Sequence, residues 1–277
     1  MFVSSVAMYV AMRKATLLKI HSYYINLSNF LPPLIFYLVL SVFLHPQLSL
    51  SFYQISILVM MSILFSYLGS LFSIKSMEIA PNPGYPLTLS KSYVIMTTIL
   101  AVFLFHSILT FKAVIAILLI VFFSALIAIN KSTIKHKTNS LWVAYAFGSF
   151  LCWGMLSLTT KYLLTIGVPV LTRLIYAMAI VSILQIAEIK IKKVSLNRLG
   201  WKNGLFLILI GFFAATFNYF MVVGINLAPN VGFVNAINAS SIAVVTLCST
   251  LLFKDDLTFK KIVGVLGVTL GLILLVI

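Results

Sequence analysis

Lys91 stands between Ser90 and Ser92, about seven residues into an otherwise apolar run. A charged or strongly polar group inside hydrocarbon is costly, so it marks a functional position by default. Here it reads as a cationic contact for an anionic solute or as a gating contact. The structural alternative is a lysine that snorkels to the interface or pairs with a neighbour. Asn235 and Asn238, in another apolar run, are three residues apart and share a helix face. Ser240 and Ser241 follow them, and Asn218, Tyr219 and Trp153 lie in neighbouring runs. Such groups can hydrogen-bond and stack a small polar solute, or tie helices together. The acids are Glu78, Glu188, Asp255 and Asp256, and all four lie near the ends of apolar runs. Glu78 could relay a proton or simply sit at the interface. His21, His45, His106 and His136 are also near run ends. No His/Cys cluster has metal-ligand spacing, and no glycine-rich loop ends in Lys-Ser/Thr. Neither a metal nor a cofactor is expected. An enzyme acting on lipid would need a convergent acid/base or metal constellation, which this inventory does not offer. Without a nucleotide-binding loop, energy would come from a gradient or an exchange, or transport would be passive.

The elements that must position these residues are membrane helices. Of the 277 residues 62% are hydrophobic and 8% charged, against about 25% charged in soluble domains. The apolar residues come in runs long enough to span a bilayer. A β-barrel would need alternating segments of about ten residues. We read ten spans, near 1–18, 25–44, 53–74, 84–105, 110–130, 141–165, 168–188, 203–226, 231–253 and 260–277. The first is weak, because Arg13 and Lys14 interrupt it early. The N-terminus does not read as a signal peptide, and neither end is expected to carry a soluble domain. Cys152 and Cys248 lie in apolar runs and suggest no disulfide framework. The net charge of +15 does not indicate nucleic-acid binding. The basic residues are scattered through short loops, where they report topology. The bilayer and a small-molecule solute are the expected partners, and the oligomeric state is open.

The chain contains a repeat. Ala-Pro-Asn-x-Gly occurs at Ala80 and again at Ala228, an offset of 148 (228 − 80). Held without a gap from Ala80 to Ile129, that register gives fifteen identities in fifty pairs. They include Pro81/Pro229, Asn82/Asn230, Gly84/Gly232 and Leu109–Lys112 with Leu257–Lys260. Five spans per half is an odd number, so the second copy must enter from the opposite side, as in inverted-repeat transporters. Residues 1–130 form the first five-helix repeat, 131–140 a basic linker and 141–277 the second repeat. Proline disfavours helix in the residue before it, while Asn and Gly tolerate turns. The motif is therefore expected to end the third span of each half and begin the fourth. It is either a plain turn or an irregular segment lining a cavity.

With these features the sequence resembles the drug/metabolite transporter superfamily, EamA type. The stretch from Phe150 to Ile180 is similar to the first pair of spans in that family's repeat, with Trp153-Gly154 early, Lys161 late and Arg173 opening the next span. The ending from Leu251 is similar to its short charged turn and Gly-rich last helix. The family has Gly-Glu in the turn before each final helix. This chain has Phe105-His106-Ser107 and Phe253-Lys254-Asp255, so only the second copy keeps an acid. The first half carries two glycines, Gly69 and Gly84, and the second half eleven. The resemblance implies a secondary transporter of a metabolite or amino-acid-like solute, alternating access between two inverted halves in a bacterial inner membrane. Lys161 and Arg173 match family positions and would serve as gating or structural charges. The divergent first half leaves a non-transporting paralogue as the alternative.

Orientation sets two arguments against each other. Fifteen of the nineteen Lys/Arg fall in odd-numbered loops, which the positive-inside tendency keeps in the cytoplasm. Both termini are then predicted to face out. The resemblance implies cytoplasmic termini.

Overall fold

The computed structural model describes residues 1–80, 84–128, 141–194, 200–253 and 258–276. All regular structure among them is helical: α1 (Phe2–Leu17), α2 (Ser22–Ser28), α3 (Leu31–Leu44), α4 (Phe52–Met60), a π-helical turn (Met61–Tyr67), α5 (Leu68–Ile79), α6 (Gly84–Lys91), α7 (Tyr93–Phe105), α8 (Phe111–Ala128), α9 (Leu141–Thr165), α10 (Val170–Ile191), α11 (Trp201–Leu227), α12 (Val231–Phe253) and α13 (Phe259–Val276). Among the described residues, eight helical segments are long and apolar enough to cross a membrane, and Phe111–Ile127 is a shorter apolar helix. The chain is an all-α integral membrane protein. Helix α1 is not among the eight. Its 16 residues extend about 24 Å, short of the roughly 30 Å hydrocarbon core.

Breaks in the spans have local causes. Pro32 and Pro33 cannot donate N–H groups back to Ser28 and Asn29, so the second span divides into α2 and α3. The third span passes through the π-helical turn, and the fourth breaks at Ser92, directly after Lys91. His45 and His106 close α3 and α7 in the left-handed region, at φ 43° and 50°.

The chain divides into two compact units, one of Met1–Ile63 with Tyr162–Asn226, the other of Leu64–Lys161 with Leu227–Ile277. Each takes chain from both copies of the repeat, so packing does not follow the sequence halves.

In the first unit, α3 and α10 run antiparallel. Thr172 Oγ1 donates to Gln47 O (2.8 Å) and Tyr176 Oη to Leu48 O (3.1 Å) at one end. Tyr24 Oη donates to Val194 O (3.2 Å) at the other. The first and seventh loops thus share an end, where exposed Arg13, Lys14, Lys19 and Lys190 gather. Lys192 there bonds Glu188 (2.6 Å) and Tyr23. Gly211 lets α11 lie on Pro32, since a Cβ would come within 2.9 Å of Ser28 O. The core packs Tyr37 with Leu174, Met178, Ala215 and Val222, and α1 contributes Met8, Ala11 and Ala15 to a second cluster.

In the second unit, α8 and α13 pack along a glycine seam. A Cβ on Gly264 would meet Ile127, one on Gly267 the Phe123 ring, and one on Gly271 Ile120 and Ala116 O. Numbers rise along one helix as they fall along the other, so the pair is antiparallel. These helices are equivalent under the 148-residue offset (Phe111/Phe259), and the two copies run in opposite directions. Helices α7 and α12 repeat the arrangement, with Gly232 against Thr98, Asn235 against Thr97 and Ala239 clustered with Val94. Tyr85 stacks on Trp142 and Lys75 lies over Tyr145, which brings the ends flanking the third and fifth loops together.

Candidate functional site

The polar centre of the second unit is built around the start of α12. Asn230 is fully buried. Its Oδ1 accepts from Gly232 N (2.8 Å), capping the helix, and its Nδ2 donates to Thr98 O (3.2 Å) on α7. A Cβ at Gly232 would lie 2.8 Å from the Thr98 Cα, so only glycine permits this approach. The second Ala-Pro-Asn-x-Gly motif is therefore a cap and a docking point between helices. In the first copy, Pro81 and Asn82 lie outside the described residues.

One turn on, Asn235 is also fully buried. Its Nδ2 donates to Thr97 Oγ1 (3.0 Å) on α7, and its Oδ1 accepts from Ser157 Oγ (3.3 Å) on α9. A single carboxamide brackets three helices. Asn238 is 4% exposed on the same face, and its carbonyl accepts from Ser241 Oγ (2.7 Å). Trp153 is half-buried on α9 beside the close approach of Gly69 to Cys152. Ser90 is buried and shares a hydroxyl–hydroxyl hydrogen bond with Ser149 (2.9 Å). Lys91 is half-buried and lines a cleft with Thr88, Ser124 and Ala239. Lys161 is half-buried near the C-terminal end of α9, and Glu78 is exposed at the end of α5.

The first unit holds the other expected residues. Arg173 is 5% exposed, with its guanidinium 3.7 Å from Met61 Sδ and close to the Tyr37 hydroxyl. Tyr37 donates to Ala215 O (2.6 Å) and also approaches Tyr219. Asn218 turns Nδ2 back to Ala214 O (2.8 Å) on its own helix. The structure thus groups Arg173 and Tyr219 around Tyr37, and Asn235 and Asn238 on one face of α12.

Thr97, Thr98, Ser157, Ser149 and Tyr37 were not legible as partners. A hydroxyl in a membrane helix usually bonds back to a carbonyl three or four residues earlier, as Thr97 does to Val94 O (3.0 Å). Nothing in the sequence marks the few that also accept from a neighbouring helix. The arrangement offers hydrogen-bond donors and acceptors, aromatic faces and cations. Among the described residues, no three His, Cys, Asp or Glu converge to hold a metal ion.

The model of the EamA-like transporter family matches residues 140–277. Through that segment the chain belongs to the EamA-like transporter family. The segment contains Trp153, Lys161, Arg173, Asn218, Tyr219, Asn235 and Asn238, while Glu78, Ser90 and Lys91 precede it. One solved structure, described only as "Crystal structure of protein", superposes with a TM-score of 0.80 over 99% of this chain and 95% of its own. Its sequence identity is 11%, so the likeness is one of fold alone. No curated protein matches the chain. The EamA-like family is a transporter family, and the helical architecture is that of a multi-pass integral membrane protein.

Proposed function

We propose that this EamA-like protein is a secondary transporter that moves a small metabolite or amino-acid-like solute by alternating access between two inverted five-helix halves, 1–130 and 141–277, joined by the basic linker 131–140. The observation that carries this reading is the antiparallel packing of equivalent helices, α8 against α13 and α7 against α12. Inverted repeats of this kind surround midplane solute sites in secondary transporters. Asn238, Trp153, Ser90, Asn218 and Tyr219 are the solute contacts in this proposal, and Asn235 holds α7, α9 and α12 in register. Lys91 contributes a positive charge to the membrane interior, which favours a solute with a negative group. Lys161, Arg173 and Glu78 act as gating or structural charges. Solute movement draws on a gradient or an exchange, and the membrane is a bacterial inner membrane.

The test is flux in vesicles reconstituted with the purified chain, using radiolabelled amino acids and small carboxylate metabolites. Saturable uptake that falls in Asn238→Ala supports the proposal. Uptake equal to that of protein-free vesicles across the panel would favour the non-transporting paralogue.

A further inference from the structure

Helices α1 and α10 end in the same way at the same end of the first unit. Lys19 and Lys193 follow them in the left-handed region, at φ 57° and 50°. Ile20 N then donates to Ala15 O (3.1 Å) and Val194 N to Ile189 O (3.2 Å), the long closing bond of a Schellman ending. Ile20 and Val194 both pack into one core cluster with Ala15, Ile189 and Leu207, and Tyr24 Oη bonds Val194 O. These contacts hold the two lysine-bearing turns at one place. Glycine is the least strained residue in such a turn, yet both turns carry an exposed cation. The helix dipoles do not require it, since Lys14 and Lys190 already lie in the last turns. The first unit has a single acid, Glu188, and Lys192 is bonded to it. Lys14, Lys19, Lys190 and Lys193 are thus a surplus of positive charge that no other acid of the unit balances. Leu17, 49% exposed, and Ile191 and Trp201, each 79% exposed, lie at the same end.

We propose that this end of the first unit binds an anionic phospholipid, whose phosphate is drawn to Lys19 and Lys193 and whose acyl chains cover exposed apolar side chains such as Leu17 and Ile191. Lys14 and Lys190 add to the attraction. Charges near a membrane surface act over about 8–10 Å at physiological salt, so the lysines need only share this end. The apolar side chains decide between occupants. A free anion or an acidic macromolecule would leave them in water, whereas a lipid covers them, and Trp beside cations suits the headgroup level of a bilayer. The surface is independent of the solute reading, since lipid binding is measured without flux.

The experiment is thermal unfolding of the purified full-length chain in a neutral detergent. Dioleoylphosphatidylglycerol is added stepwise, with dioleoylphosphatidylcholine as the comparison. The wild type should show a saturable rise in Tm that the choline lipid does not match. Lys19→Gly with Lys193→Gly suits the left-handed turns and should raise the half-effective lipid concentration about thirtyfold, roughly fivefold for each charge lost near a lipid surface. Lys112→Gln with Lys260→Gln removes the same charge from exposed positions of the second unit and should leave the half-effective concentration unchanged. An equal rise with the choline lipid, or an equal weakening in both double variants, would overturn the proposal. If the glycine variant does not fold, Lys14→Gln with Lys190→Gln decides it, and an unchanged half-effective concentration there rejects the site. Inorganic phosphate acting as the glycerol lipid does would show that a free anion suffices and would also reject the lipid.

Discussion

Lys91 and Ala239 hold the same position in the two copies of the repeat and line the same cleft. The repeat is thus symmetric in path and asymmetric in chemistry. Equivalent positions meet at one cleft, but only one of them carries a charge there.

Gly232→Ala is expected to destabilise the protein by about 1–3 kcal/mol, the usual cost of overpacking. The added Cβ would meet the Thr98 side chain and lie 2.8 Å from its Cα. Thermal unfolding of the purified variant measures this. A wild-type midpoint would mean that α12 does not dock on α7 as closely as described.

Gly267→Leu should be tolerated only when its partner shrinks. A Cβ at Gly267 would lie 2.2 Å from Phe123 Cδ2. The single variant is expected to lose stability, and Gly267→Leu with Phe123→Ala should recover most of it. Additive losses in that double-mutant cycle would show that the two residues do not touch.

Removing the Asn235 carboxamide with Asn235→Leu strands Thr97 and Ser157. Hydrogen bonds between membrane helices contribute on average about 0.6 kcal/mol each, so a loss of about 1–2 kcal/mol is expected. Thr97→Val in the Asn235→Leu background should add little. A full additional loss would place the partner of Thr97 elsewhere.

At the exposed end of α10, Glu188 holds the Lys192 ammonium above the ordinary lysine range, with Tyr23 adding to the effect. The pair is partly solvated, so Lys192→Met should cost no more than about 1 kcal/mol. The sign follows from a raised lysine value. The contribution is complete below the unfolded-state pKa and fades as pH climbs through the higher folded value. The difference between wild type and variant should therefore be constant from about pH 6 to 9. A difference that changed across that window would implicate another group.

For orientation, the basic loops predict that the C-terminus faces away from the cytoplasm. The first and seventh loops share an end of the first unit, where Arg13, Lys14, Lys190 and Lys192 meet. A fluorescent or phosphatase reporter fused after Ile277 decides the matter. Cytoplasmic fluorescence without phosphatase activity would reverse the assignment.

Span positions were legible because long apolar runs leave the backbone few alternatives to helix in a membrane. The start of α12 at Val231 and the short α1 both follow from such runs and their interruptions. Internal breaks were less visible. Pro32 and Pro33 announce one, but the π-helical turn at Met61–Tyr67 and the break at Ser92 contain neither proline nor glycine. The sequence showed that Asn235 and Asn238 share a face. It could not show that Thr97 and Ser157 receive Asn235, because a bracket between helices depends on their relative rotation. The two packing units were not visible either, since each draws on both copies of the repeat.

The glycine seam carries a consequence for ancestry. Where α13 has Gly264, Gly267 and Gly271, α8 has Ala116, Leu119 and Phe123. Two helices of the α13 type would face each other across a void, and two of the α8 type would collide. Neither helix could now pair with a second copy of itself. The two helices are lock and key, and neither can be exchanged for its counterpart without rewriting the other.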